Sequence, residues 1–113
     1  MTSSETIEQA RVRFWDLADP MIGQGLADRG TMMGSDCLRV GGEFAAMAHS
    51  KTGQLIVKLP AERVLELAAS GTGDTFAPNG RVFKEWLAAN GTDDEIWRVM
   101  ITEALEFAAN ATK

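Results

Sequence analysis

The sequence CLRVGGEFAAM, residues 37–47, decides the centre of the fold. Two strand-like runs flank Gly41-Gly42, and two glycines between β-prone runs are a strong signal for a β-hairpin with a two-residue turn. A third run, LIVKLP at 55–60, follows, and its proline suits the first position of a helix. We therefore predict strands at 31–40, 43–49 and 54–59, followed by a short helix that ends near Ser70-Gly71.

The turn also predicts the register of the hairpin. It pairs Val40 with Glu43, and regular pairing then continues along both strands. On that register one face carries Cys37, Arg39, Phe44, Ala46 and Ala48, and the other carries Leu38, Val40, Ala45 and Met47. Both faces are substantially apolar. We expect helices to cover one face, and further helix, loop or a second subunit to cover the other.

Helices are predicted at both ends of the chain. Residues 4–18 have apolar side chains at three- and four-residue spacing, and Pro20 then ends the helix or, with Asp19, opens a short second one. Near the other end, Thr92-Asp93-Asp94-Glu95 predicts a capping box, in which Thr92 takes the Glu95 N–H. The apolar stripe of the final helix comprises Ile96, Trp97, Met100, Ala104, Phe107, Ala108 and Ala111.

The segment between the two later helices predicts one loop and one strand. Residues 71–80 are rich in turn-forming residues, with a short extended piece at 74–76. Residues 81–87 contain no breaker and several β-prone residues, and we interpret them as the last strand. The predicted fold is therefore α+β, in the order α-β-β-β-α-β-β-α.

Composition limits both the domain organisation and the class of protein. At 113 residues the chain has room for one domain, with an N-terminal helical region at 1–28 and the sheet and last helix at 29–113. A net charge of −5 provides no basic surface for nucleic acid or an anionic membrane. No apolar run is long enough for a membrane span, and a lone cysteine suits a reducing cytoplasm.

Few residues in the sequence suggest a catalytic, metal-binding or nucleic-acid-binding role. His49 is the only histidine, and a solvated strand-end position explains it better than a site. Cys37 could be a nucleophile or redox sensor activated by Arg39, but packing in a sheet is the favoured interpretation. Arg81 and Lys84 could join Arg98 in a basic patch beside Trp86 and Trp97, although both tryptophans are expected to link the last strand to the last helix. We predict no catalytic residue, no cofactor and no metal site.

The motifs together resemble the TfoX N-terminal-domain family, close in pattern to the YjbR-like proteins. The resemblance is carried by Met32-Met33-Gly34, residues 38–45, residues 55–60 and residues 76–86, which closes with Phe83-Lys84-Glu85-Trp86. Met33 stands where the family usually has an aromatic residue, and Val82-Phe83 where Pro-Met is common. The resemblance implies a small bacterial domain similar to secretion-chaperone-like folds, and it carries over no catalytic residue. The namesakes' role in competence regulation involves a second domain, so we do not expect it here.

These observations predict a cytoplasmic interaction module without enzymatic activity. Its expected interaction surface is the hairpin face with Cys37, Arg39, Phe44, Ala46 and Ala48. The partner would be another protein or a second copy of the chain, with a dimer as the expected state. The alternative is a transcription- or competence-related regulator associated with nucleic acid, although the charge disfavours nucleic acid as a partner.

Overall fold

The computed structural model describes residues 3–32, 34–77, 80–91 and 93–111. In chain order the elements are α1 (Ser3–Gly23), β1 (Asp28–Met32), β2 (Ser35–Val40), β3 (Glu43–Ala48), β4 (Leu55–Lys58), α2 (Ala61–Ala69), β5 (Gly73–Phe76), β6 (Phe83–Ala89) and α3 (Asp94–Ala111). The α+β class and the predicted order of elements are confirmed, apart from one additional strand, β1, ahead of the hairpin. Met33, Pro78 and Asn79 of the family-like motifs lie outside the described residues.

The additional strand comes from a turn inside the segment that we predicted as one strand. Met32 pairs with Ser35 across a tight turn, and Gly34 there has φ 80°, a left-handed conformation that glycine adopts without strain. Residues 31–40 therefore belong to two antiparallel strands. The single strand predicted over 31–40 is wrong.

The strands form one six-stranded antiparallel sheet in the order β1-β2-β3-β4-β6-β5. The short extended piece predicted at 74–76 is confirmed as part of β5, which forms one edge. β6 returns from that edge and inserts between β4 and β5, and it lies two residues later in the chain than predicted.

All three helices pack on one face of this sheet. α3 lies against β2, β3 and β4, α2 lies against β5 and β6, and α1 lies against β3 and α3. Their buried side chains form a main core with Leu38, Ala46 and Leu87 of the sheet. The domain therefore has two layers, and no helix among the described residues covers the opposite side, which we call the helix-free face.

α1 continues through Pro20, where the sequence predicts that it ends. It runs to Gly23, and Pro20 is exposed. Proline has no N–H for the carbonyl four residues earlier, but its own carbonyl accepts the Gln24 N–H at 3.1 Å. Met21 and Ile22 pack against the main core. That tertiary contact explains why the last turn of the helix persists after the proline.

Asp93 caps α3, whereas the sequence predicts a capping box that begins at Thr92. The backbone N–H groups of Glu95 and Ile96 donate to Asp93 Oδ1 at 2.9 and 3.1 Å. The Glu95 carboxylate binds Arg98 instead, at 2.6 Å. Thr92 lies outside the described residues. The helix start is therefore as predicted, but its cap is one residue later.

The apolar faces of α2 and α3 are largely as predicted. The residues of α3 that are buried are Trp97, Met100, Ile101, Ala104, Leu105 and Ala108. Two residues of the predicted stripe are exposed, Ile96 (42%) and Ala111. Ile101 and Leu105 are buried although the predicted stripe omits them. On α2, Val64 is buried but Leu65 is 64% exposed, contrary to the sequence interpretation. Arg63 of α2 joins the two helices through a bidentate pair with Glu103, at 2.9 and 3.1 Å.

Candidate interaction face

The predicted hairpin register is correct for the first two pairs after the turn and fails at the third. Arg39 faces Phe44, but Leu38 faces Ala46 where regular pairing predicts Ala45. Ala45 is therefore the extra residue of a β-bulge in β3. An extra residue shifts the alternation of side chains by one from that point onward.

The bulge changes the predicted interaction surface. Cys37, Arg39 and Phe44 lie together on the helix-free face, as predicted. Ala46 and Ala48 do not, since both are buried beneath the helices in the main core. Their assignment to the same face as Phe44 is wrong, because the sequence pattern carries no signal for the bulge.

Four buried side chains form the floor of the helix-free face. Cys37 pairs with Met47, Met47 with Ile56, and Ile56 with Ala88, so they make one continuous row across the sheet. Cys37, Met47 and Ile56 are completely buried although no described helix lies above them. Side chains of the sheet itself must therefore cover the row.

An aromatic cluster, formed by Phe44, Phe76, Phe83 and Trp86, provides this cover. Phe44 stacks on Trp86 with ring centroids 4.4 Å apart, and Phe76 stacks on Trp86 at 5.5 Å. Phe83 meets Trp86 edge-to-face at 5.1 Å. Phe44 is only 4% exposed, whereas the other three side chains are half-buried. The half-buried rings form the apolar outer surface of the face.

The stacking of the rings limits what this surface can bind. Phe44 and Phe76 both stack on Trp86, with interplanar angles of 24° and 20°. Nucleic-acid platforms need a free ring face on which a base can stack. Here Trp86 already has two stacked aromatic partners, and this arrangement favours an apolar surface of another protein over a base.

Trp86 does not link the last strand to the last helix, as the sequence predicted. It lies in the helix-free cluster, while Trp97 is buried in the main core on the other side of the sheet. Arg98 likewise lies on α3 and is paired with Glu95. The basic patch that would place Arg98 beside Trp86 is therefore not assembled.

Arg39 forms one side of the face. Its guanidinium donates to the carbonyls of Gly42 and Thr31, each at 2.8 Å. The side chain lies over Gly30, where an added Cβ would be 2.7 Å from Arg39 Cδ. Arg39 is thus held by backbone acceptors and covers the sheet beside Cys37.

Cys37 has the environment of a packing residue. Its side chain has no solvent exposure. Burial raises the pKa of the thiol above its ordinary value, and the nearby charge and hydrogen bond of Arg39 oppose that rise only in part. A neutral, enclosed thiol is a poor nucleophile, because the thiolate is the reactive form.

His49 lies at the margin of the aromatic cluster. Its ring meets Phe76 edge-on at 5.7 Å, and its Nδ1 accepts the Lys51 backbone N–H at 3.1 Å. Burial, followed by the charge of Lys51, lowers the pKa of the imidazole. The ring is therefore neutral at pH 7, and it contacts the Phe76 ring and the Lys51 backbone.

Register places four charged residues on the helix-free face. By register, Asp28 shares a face with Arg39, Lys58 with Trp86, and Asp74 with Ala88. The positions described in this way therefore carry two acidic and two basic residues. The whole chain, in contrast, has a net charge of −5.

The described part of the chain contains neither a cluster of metal-binding side chains nor a membrane-spanning helix. No group of three or more His, Cys, Asp or Glu side chains there is arranged to hold a metal ion. None of the described helices combines the length and the apolar character that crossing a bilayer requires.

Comparison with known proteins gives no match to this chain among protein-family models, curated sequences or solved structures.

Sequence reasoning missed the outer residues of this face. Phe76, Phe83 and Trp86 come from two strands that the prediction did not place beside the hairpin. The spacing of Trp86 and Ala88 signals a shared face. Their proximity to Phe44 depends on the insertion of β6 next to β4, which no local pattern encodes.

Proposed function

We propose that this protein is a small cytoplasmic interaction module without enzymatic activity, and that its helix-free face binds a second copy of the chain. One observation carries the proposal: Phe76, Phe83 and Trp86 form a half-buried aromatic surface with no described helix above it. Aromatic side chains dominate the buried centres of protein interfaces. A contiguous apolar surface of this kind commonly marks an interaction site.

The charge distribution favours a second copy over an oppositely charged partner. Molecules with a net charge of −5 repel one another on average. The helix-free face, with Asp28 and Asp74 against Arg39 and Lys58, is a surface where two copies can approach without that repulsion. A two-fold arrangement buries the same face of both copies and leaves no free surface to propagate.

Light scattering tests the proposal. The wild type should have the mass of a dimer at concentrations on the order of tens of micromolar. Phe83→Asp should reduce it to a monomer that still unfolds cooperatively, because Phe83 lies at the half-buried outer surface of the cluster. Leu65→Asp is the matched control, since Leu65 is exposed on the helix side and should leave the dimer intact.

Phe44 is unsuitable for this test, although the sequence-based surface includes it. It is 4% exposed, and an aspartate there would bury an unpaired charge and unfold the subunit. A monomeric mass for the wild type, or a dimer that persists in Phe83→Asp, contradicts the proposal.

Nucleic-acid binding is tested separately by its salt dependence. We expect no duplex-DNA affinity tighter than the nonspecific range of about 10⁻⁴–10⁻⁶ M at physiological salt. A submicromolar, sequence-selective affinity that falls steeply with salt would favour a regulator associated with nucleic acid.

Membership of the TfoX N-terminal-domain family is also part of the proposal. Its support is the agreement, apart from the additional strand β1, between the order of elements and the order that the resemblance implies. An experimental structure that superposes on a family member strand for strand, with β6 between β4 and β5, would support it. A different strand order in that comparison would overturn it.

A further inference from the structure

A groove of about 600 Å³ lies between α1 and α3, on the layer opposite the helix-free face. Its walls are largely apolar and include Leu17, Pro20 and Met21 of α1 and Leu105 of α3. Small-molecule sites have volumes of about 300–1,000 Å³ and mostly apolar walls with a few polar groups. The groove has both the size and the lining of such a site.

The polar lining of this groove consists of two carboxylates together with Gln24, Arg98 and Thr102. Asp16 of α1 and Glu106 of α3 contribute exposed carboxylates, and neither has an ion-pair partner among the described residues. Arg98 also lines the groove, but its guanidinium is held by Glu95 at 2.6 Å. The Thr102 hydroxyl donates to the Arg98 carbonyl at 2.9 Å. The carboxylates are therefore left available.

Pro20 leaves one backbone carbonyl of α1 without its usual donor. In a regular helix the carbonyl of Asp16 would accept the N–H of the residue four positions later, which here is a proline. Pro20 has no N–H, so this carbonyl lacks its usual helical donor. Asp16 and Pro20 both line the groove.

The helix ends strengthen the negative character. Leu17, Pro20 and Met21 lie in the C-terminal half of α1, and Leu105 and Glu106 lie in the C-terminal half of α3. Neither helix has a basic residue in its last turn among the described residues. The negative ends of both helix dipoles therefore lack a compensating side chain there.

We infer that this groove binds a primary amine with an apolar body, such as an aryl-alkyl ammonium. The apolar body would pack against Leu17, Met21 and Leu105. The ammonium group would donate its three N–H bonds to the acceptors of Asp16 and Glu106. A carboxylate of the same shape is repelled, and a quaternary ammonium has the charge but no N–H to donate.

The inference is tested with three probes that share one apolar body, measured by calorimetry on the full chain. They are 4-phenylbutylamine, 4-phenylbutanoate and the trimethylammonium analogue of the amine. We expect the amine to bind at least about tenfold more tightly than the carboxylate, a difference of about 1.4 kcal/mol, with the quaternary analogue between them. Equal affinity for the amine and the carboxylate would overturn the inference.

Substitutions in the groove test whether the amine binds there. Asp16→Asn and Glu106→Gln should each weaken amine binding by roughly tenfold, because each removes a charge-assisted hydrogen bond and keeps the side-chain shape. Glu62→Gln, an exposed acid on α2, is the control and should leave binding unchanged. Phe83→Asp should also bind the amine normally, which separates this site from the proposed interface. Unchanged amine affinity in both groove variants would refute the assignment.

Discussion

Arg39 lies directly over Gly30, the residue that pairs with Cys37 in the neighbouring strand. An added Cβ on Gly30 would be 2.7 Å from Arg39 Cδ and 2.8 Å from its Nε. The absence of a side chain at Gly30 therefore allows Arg39 to reach the carbonyl of Thr31. This contact keeps Cys37 away from solvent on that side of the sheet.

Gly30→Ala should displace Arg39 and open a path to Cys37. We expect faster native-state labelling of the thiol by a disulfide reagent, by about tenfold for each 1.4 kcal/mol lost from the opening free energy. Displacement of Arg39 would also raise the thiol pKa further, and that change alone would slow labelling. A faster labelling rate in Gly30→Ala would therefore report greater exposure of Cys37. Gly23→Ala is the control, because Gly23 has nothing within 4 Å of an added Cβ. Equal labelling rates in the two variants would show that Arg39 does not shield Cys37.

Trp97→Ala should destabilise the domain by about 3–5 kcal/mol, as truncation of a buried aromatic side chain does. Trp97 is 1% exposed, and its indole N–H donates to the Gly91 carbonyl at 3.3 Å. Chemical denaturation measures the effect. The adjacent Ile96→Ala is the control: Ile96 is 42% exposed, and its truncation should change stability by about 0.5 kcal/mol or less. Similar losses in both variants would contradict the burial pattern of α3.

Asp93→Ala should lower stability by about 1 kcal/mol, because it removes the acceptor of two backbone N–H groups at the start of α3. Asp93→Asn keeps a capping oxygen and should retain most of the stability, which makes it the matched variant. Denaturant midpoints of the two proteins provide the measurement. If the asparagine variant loses as much stability as the alanine variant, loss of the helix cap does not explain the destabilisation.

His49 should make stability fall on mild acidification. In the folded chain burial and Lys51 lower the pKa of His49 below its ordinary value of 6.5. The unfolded chain therefore binds the proton first, so the stabilising contribution is complete above pH 6.5 and is lost as the pH falls from there through the lower pKa of the folded chain. His49→Gln keeps an acceptor for the Lys51 N–H but does not titrate. Melting temperatures between about pH 7 and 5 should fall less in this variant than in the wild type; parallel curves would exclude the histidine as the cause.

Local chemistry in the sequence was sufficient for much of this architecture. The Gly41-Gly42 turn, the proline before α2 and the apolar periodicity of α1 and α3 each act within a few residues, so their effects can be recognised without the rest of the molecule. The burial of Trp97 and the pairing of Val40 with Glu43 follow from these local signals.

Other features were decided only by tertiary packing. Ala45 bulges out of the pairing and moves Ala46 and Ala48 beneath the helices. Pro20 remains helical because the residues after it pack against the core. These outcomes depend on the energy of burying side chains from distant segments, which outweighs local preference and leaves no short-range pattern in the sequence.

The candidate interface and the groove were also decided only by tertiary packing. Phe44 and Trp86 are far apart in the chain and stack only because β6 inserts beside β4. Asp16 and Glu106 line one groove only because α1 packs against α3. The sequence alone determined which segments are helices and strands and that the hairpin is apolar on both faces. The tertiary structure decided which side chains meet, because strand order, the bulge and helix packing are set by non-local burial.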